Sequence, residues 1–302
     1  MDALHDLWPA GPQFLVLETV MTRQRRDHRR PVAPLRLTAR DEELLLGLNR
    51  LRLARTRDLA RLGFPGVRLD TAAARLRRLF DAGYLEVVAP DRTAENRYAL
   101  GPAGRRYVAD QGEEVGRRPR GGLEHHLAIV RTWASIATEL PAGVELRLAR
   151  PDWELRADLG DLGLTVVPDL FVVLAAGSRE LAVAIEVDLG TEPLCVLWAK
   201  VRAYGELCGV EGLFGWREFA LAVAVGLPSR GDTVRSHLDA RWRGTGAVWL
   251  LGEGPGTALR SLSESLTPPL TMSPHSKGPR SGLTSSGGGS EPDGQVGALG
   301  ND

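Results

Sequence analysis

Apolar residues recur at two different periods along this chain, and the change between them divides it. From Thr38 onward they fall three or four apart. The run T-A-R-D caps a first helix, with Asp41 and Glu42 in its first turn and Leu44, Leu45, Leu48 and Leu51 as its inward stripe. A short second helix is expected over residues 56–62, capped by Thr56 with Asp58 near its start, and Gly63-Phe64-Pro65-Gly66 breaks it. A third helix is expected over residues 69–81, with Asp70 or Thr71 near its start. Ala73, Leu76, Leu79 and Phe80 would face inward, and Arg75, Arg77 and Arg78 outward. Residues 85–88 and 97–100 suit two strands around a polar loop. Residues 101–114 suit one more helix, with Tyr107 and Val108 inward.

Beyond a Gly-, Arg- and Pro-rich linker at residues 112–122, the apolar runs become short and nearly continuous. Residues 123–140 keep a helical stripe of Leu127, Val130, Ala134 and Ala137, widened by Ile129, Trp133 and Ile136. Then come a strand at 144–150, a polar, acidic loop or hairpin at 152–163, and two Val-, Leu- and Ile-rich strands at 166–176 and 181–188 joined by Ala-Gly-Ser-Arg. A helix follows at 191–209 with Leu194, Leu197, Val201 and Leu207 inward, then a strand at 218–227, a helix at 231–241 and a strand at 247–251. The order α-β-β-β-α-β-α-β predicts an α/β sandwich over residues 123–252. In the first half, three helices followed by a hairpin are the pattern of a winged helix-turn-helix, over residues 35–116. Residues 1–34 read as a flexible basic leader, within which Met21 could be the natural start. The Gly-, Ser- and Pro-rich stretch 253–302 lacks periodicity and reads as a disordered tail.

Charge sharpens this division. The 302 residues balance to a net charge of zero, but residues 21–120 hold 23 basic against 13 acidic side chains, a surplus of +10 offset by the two flanks. A basic module beside an acidic one points to anion binding by the first, and the pattern points to duplex DNA. An Arg-bearing third helix would enter the major groove while the wing follows the backbone. Arg68, Arg75, Arg77, Arg78, Arg92 and Arg97 are the candidate DNA contacts. The alternative is a winged-helix packing or dimerisation module. No apolar run is long enough to span a bilayer, and the start of the chain lacks a secretory pattern. Cys195 and Cys208 fit neither a zinc knuckle nor a disulfide framework; they read as core packing, and the expected compartment is the cytoplasm.

The two central strands carry carboxylates that an ordinary buried strand avoids: Asp169 after Pro168, then Glu186 and Asp188. Burying a lone carboxylate costs several kcal/mol unless it is paired, protonated or metal-bound. Side chains alternate along a strand, so Glu186 and Asp188 share a face, and pairing of the two runs would bring Asp169 beside them. Three converging carboxylates form a hard-cation site. The alternative is strand-end acids paired with Arg. Lys occurs only at Lys200 and Lys277, so Lys200, four residues before Tyr204 on the following helix, stands out in an Arg-rich chain. His125 and His126 read as helix-surface or interface residues, with a site role as the alternative for His125, and Tyr204 reads either as packing or as a nucleophile.

These residues resemble a known pattern. Leu123 and His125, Val167-Pro168-Asp169, the run E-V-D-L-G-T-E from Glu186 to Glu192, and Lys200 with Tyr204 match the PD-(D/E)xK nuclease superfamily. With the preceding winged helix, residues 38–251 resemble the replication-relaxation family of bacterial plasmid and mobile-element proteins. The resemblance implies a restriction-endonuclease-like α/β domain that nicks or relaxes DNA. Asp169 and Glu186 would hold Mg²⁺ or Mn²⁺, and Asp188, Lys200, His125 and Tyr204 would complete the site. The partners it implies are double-stranded DNA, plasmid replication or mobilisation proteins, and a second copy of the chain. The sequence departs from the pattern in two places. Asp188 stands where the superfamily has Lys, so either Asp188 is a further metal ligand or Lys200 supplies the amine. Trp198 lies two residues before Lys200 rather than three. Three functions stay open: a metal-dependent DNA nuclease, a non-catalytic DNA-binding accessory or regulator, and a winged-helix scaffold for other proteins.

Overall fold

The computed structural model describes residues 35–88, 95–158, 166–208, 212–217, 219–226, 228–241 and 248–251. The leader, Arg92 in the hairpin loop, and the stretch beyond Leu251 lie outside the described residues. In the first part, α1 (Ala39–Leu51), β1 (Ala54–Arg55), α2 (Thr56–Gly63), α3 (Leu69–Asp81), β2 (Leu85–Val87) and β3 (Arg97–Leu100) follow one another, and α4 (Pro102–Asp110) closes the set. The three short strands form an antiparallel sheet in the order β1-β3-β2. Thr38 caps α1 as expected. It forms a reciprocal box in which the Asp41 N–H donates to the Thr38 hydroxyl and the Asp41 carboxylate accepts from the Thr38 N–H.

Other details of the first part differ from the expectation. Thr56 is the first residue of α2 rather than its cap, and its hydroxyl donates to the Asn96 carbonyl. On α3 the buried set is Ala72, Leu76, Leu79 and Phe80, so Ala73 sits at the edge of the stripe rather than within it. Tyr107 is only partly buried, whereas Val108 is fully so.

The second part consists of α5 (Leu123–Glu139), β4 (Glu145–Pro151), α6 (Asp152–Asp158), β5 (Leu170–Ala176), β6 (Arg179–Asp188), α7 (Leu194–Leu207), β7 (Ala220–Val225), α8 (Pro228–Arg241) and β8 (Val248–Leu251). The strands form one mixed sheet in the order β4-β5-β6-β7-β8, antiparallel from β4 to β6 and parallel from β6 to β8. The strands and helices fall near their expected places. The exception is residues 152–158, which form a helix where a polar loop or hairpin was expected; its Trp153 and Leu155 are at least partly buried.

Strand β6 is buried on both faces from Ala182 to Asp188, which is why Ala182–Ile185 is continuously apolar and Glu186 and Asp188 stand out. One face, with Val183, Ile185 and Val187, packs toward α5. The other, with Ala182 and Ala184, packs toward Leu197, Val201 and Tyr204 of α7 and Val234 and Leu238 of α8. Period-two alternation therefore sends Glu186 and Asp188 to the α7–α8 side.

The two parts share a core. One apolar cluster runs from α1–α3 into the α5 face of the large sheet. Polar contacts reinforce the junction. Arg50 donates to both carboxylate oxygens of Glu154 and to the Ala149 carbonyl, the Trp153 indole N–H donates to the Arg50 carbonyl, and Arg55 and Arg97 both grip Glu124. His126, expected at a helix surface or an interface, is buried in this junction. Its Nε2 lies 2.8 Å from the Leu51 carbonyl, and its ring stacks on Trp153 with centroids 4.2 Å apart.

The segment between the two parts is held against α1. Asn49 donates to the Glu114 carbonyl and accepts from the Gly116 N–H, each at 2.8 Å. A side chain at Gly116 would meet the Asn49 carbonyl oxygen at 2.5 Å, so only glycine allows this approach. No described helix is long and apolar enough to cross a membrane.

Candidate acidic site at the strand ends

Strands β5 and β6 pair with Leu170 opposite Ile185. One residue further along the same register, Asp169 falls beside Glu186, as strand pairing predicts. Asp169 is tied on both oxygens. Oδ2 accepts from the Val187 N–H at 2.8 Å, and Oδ1 lies 3.0 Å from His125 Nε2 on α5. Burial alone would push Asp169 up, but the His125 hydrogen bond and charge, the Val187 N–H and Lys200 outweigh it, and the carboxyl titrates below its ordinary value. The bond to Asp169 raises His125 above its ordinary value, which favours the imidazolium, with Nε2 donating.

Glu186 is 1% exposed. Its Oε2 accepts from Lys200 Nζ at 2.6 Å and its Oε1 from the Tyr204 hydroxyl. Both donors come from α7, where their four-residue spacing places them on one face. Burial and the charge of Asp169 push Glu186 up to about 7, against the pull of Lys200 and Tyr204. Lys200 is itself raised: burial disfavours its charge, but the Glu186 charge and hydrogen bond more than compensate. Tyr204 is fully buried, and burial together with Glu186 raises its phenol well above the ordinary value. The hydroxyl is thus a neutral donor, and packing against Phe219 fixes its ring.

Five of the six expected site residues therefore meet: His125, Asp169, Glu186, Lys200 and Tyr204. Asp188 does not join them. It lies on the same face of β6, but its Oδ2 pairs with Arg230 of α8, and its Oδ1 accepts from the Gly190 N–H at 2.8 Å. Gly190 has φ +76°, the left-handed turn that brings its N–H back onto the strand end. Arg230 also donates to the Glu192 carbonyl at 2.6 Å and so fixes the loop that leads into α7. The expected convergence of three carboxylates is thus replaced by a pair plus a third that takes the alternative reading, a strand-end acid paired with an Arg, which α8 delivers.

Among the described residues, no group of three or more His, Cys, Asp or Glu side chains is placed to hold a metal ion. The Asp169–Glu186 pair still fits a hard divalent cation of the magnesium type, which takes one or two carboxylates and completes its shell with water and substrate phosphate.

The arginines expected to contact DNA also divide. Arg75 packs inward: Nε donates to Asp41 Oδ1 at 2.9 Å and the second nitrogen to Oδ2, so this guanidinium holds α3 against the start of α1. Arg97 is largely buried against Glu124. Arg68, Arg77 and Arg78 are exposed on α3, with Arg68 beside Asp70 and Arg77 beside Asp81. Of the cysteines, Cys208 is buried as expected and Cys195 is exposed.

Residues 45–219 match the family described as replication-relaxation. No curated protein matches the chain. Among solved structures, the restriction endonuclease FokI bound to DNA aligns at 12% identity with a TM-score of 0.25, over 76% of this chain and 45% of that one. The chain thus spans less than half the length of that endonuclease, and at this TM-score the likeness carries no weight for fold or site.

Proposed function

The chain belongs to the replication-relaxation family, and from that premise we propose that it is a DNA-binding replication protein whose second part cuts a phosphodiester bond at the Asp169–Glu186 pair with the help of a divalent metal ion. The observation that carries this reading is the meeting of Asp169, Glu186 and Lys200 at one point, where burial, and after it the Asp169 charge, holds Glu186 at about 7. A carboxyl perturbed by burial and by a specific charged neighbour is a functional-site candidate. Asp169 and Glu186 would hold the ion, which when bound supplies charge neutralisation on phosphate and a more acidic water. Lys200 would then stand beside it as a fixed positive charge for a phosphate oxygen, and Tyr204 orients Glu186. His125 fixes Asp169 from the opposite helix.

The first part would hold the duplex. Its helix–strand–helix–helix–strand–strand order and three-stranded sheet support a winged-helix reading, with Arg68, Arg77 and Arg78 on the open face of α3 as its contacts. Arg75 and Arg97 serve the fold.

A second reading, a non-catalytic DNA-binding accessory or regulator, is favoured by one observation. All four oxygens of the pair already accept hydrogen bonds, and Asp188 with Arg230 stands where the superfamily has its lysine. Nicking of supercoiled plasmid with Mg²⁺ or Mn²⁺ separates the two. The first reading expects slow nicking by the wild type, abolished in Glu186→Gln and Asp169→Asn while DNA binding persists. Intact plasmid with every divalent ion, together with salt-dependent duplex binding, supports the accessory role.

A further inference from the structure

A second site lies away from these carboxylates. A cavity of about 350 Å³ opens between α1, α2 and Trp133 of α5. That volume is at the lower end of small-molecule sites. Leu48, Leu51, Leu59, Leu62 and Trp133 make its apolar lining. Gly47 also borders it, in the middle of α1. Glycine is the poorest helix former after proline. No neighbour requires it here, since a Cβ on Gly47 would meet nothing within 4 Å. What the missing side chain leaves is room in the cavity.

The rim is chemically marked. Arg50 is engaged by Glu154 and lies over the Trp133 ring at 5.0 Å. Arg40 has no carboxylate partner among the described residues, and its guanidinium rests 5.8 Å from the Phe64 ring centroid. One acid, Glu43, also borders the cavity and disfavours ligands with more than one negative charge.

We infer that this cavity binds a small amphipathic monocarboxylic acid, with its apolar body between Leu48, Leu59 and Trp133 and its carboxylate at Arg40. The walls come from both parts of the chain, so an occupied cavity ties α1 and α2 to α5. This inference does not depend on the Asp169–Glu186 site.

Octanoate titrated into the full chain, followed by tryptophan fluorescence and calorimetry, tests it, with 1-octanol as the uncharged probe. Saturable octanoate binding is expected, about tenfold weaker for 1-octanol and for Arg40→Gln. Gly47→Ala should retain binding and Gly47→Leu should lose it. If Gly47→Leu fails to fold by circular dichroism, Arg40→Gln and 1-octanol decide. Octanoate binding that does not saturate below about 1 mM, equal binding of acid and alcohol, or unaltered binding in folded Gly47→Leu overturns the inference.

Discussion

Two buried carboxylates in this protein each have a basic partner, and they behave in opposite ways. In the first part, Asp41 at the start of α1 is 1% exposed and meets the fork of Arg75. In the second part, Glu186 near the end of β6 is equally buried and meets Lys200. Burial pushes both toward the neutral acid. At Asp41 the Arg75 fork and the Thr38 hydroxyl and N–H reverse that push, and the carboxyl is held at about 2. At Glu186 the second carboxylate of Asp169 adds to it, and the group rises to about 7.

The difference is not the presence of an ion pair but its surroundings. At Asp41 the Arg75 fork and the Thr38 hydroxyl and N–H together outweigh burial, which is how a structural pair is built. Glu186 lies deeper among apolar neighbours and beside a second carboxylate, and Lys200 and Tyr204 do not outweigh the two together.

Breaking the structural pair should have the largest effect on stability. Arg75→Ala leaves Asp41 buried without its partner and is expected to cost about 3–5 kcal/mol in urea unfolding. Little change there would move Arg75 back to the surface role that its sequence position suggested.

The pH dependence of stability should then have opposite signs at the two sites. Asp41 is depressed in the fold, so its contribution, about 2 kcal/mol, is present above its unfolded value near 3.8 and is lost as pH falls toward 2. Glu186 is raised, so its contribution is complete below its unfolded value near 4.5 and is lost as pH rises through about 7. Glu186→Gln should flatten the slope between pH 4.5 and 7 and leave the acid limb intact. Chemical denaturation at half-unit pH steps measures both limbs.

Asn49→Ala removes both hydrogen bonds that hold the connecting segment, at a cost of about 1–2 kcal/mol. Limited proteolysis at residues 112–122 should rise with it. The smallest stability effect belongs to Arg78→Ala, expected within about 0.5 kcal/mol. Yet its duplex affinity should fall, and the salt slope of binding should drop by about one phosphate contact. If Arg78→Ala binds DNA as the wild type does, the open face of α3 is not the contact surface.

Much of the candidate site could be read before the structure because its residues violate local rules. Asp169 and Glu186 interrupt apolar strands, and Lys200 is a lysine in an Arg-rich chain. The four-residue step from Lys200 to Tyr204 is a helix-face relation that sequence alone encodes. Strand pairing then needed only the register to bring Asp169 beside Glu186.

What stayed hidden depends on long-range partners. Arg230 lies 42 residues from Asp188 and looks like any other arginine, so an Arg partner for a strand-end acid could be expected but not which arginine, nor that only Asp188 would take it. The inward turn of Arg75 likewise depends on Asp41, 34 residues away. Its helical position is compatible with either direction. Residues 152–158 read as a polar loop or hairpin because the periodic pattern in seven residues is too short, and because Trp153 is drawn to His126 of another helix. The connecting segment has the composition of a flexible linker. Its order comes from Asn49, whose side chain supplies both a donor and an acceptor.

Burial and the neighbouring Asp169 charge together hold Glu186 far above its ordinary range, although Lys200 and Tyr204 both bind it. Carboxyl-carbon NMR of the labelled protein, with Glu186→Gln to assign the resonance, tests this most directly. Glu186 is expected to titrate near 7 and to move part of the way toward the ordinary glutamate range in Asp169→Asn, with burial holding the rest of the shift. A titration at about 4.3 in the wild type, unaltered by Asp169→Asn, would contradict it.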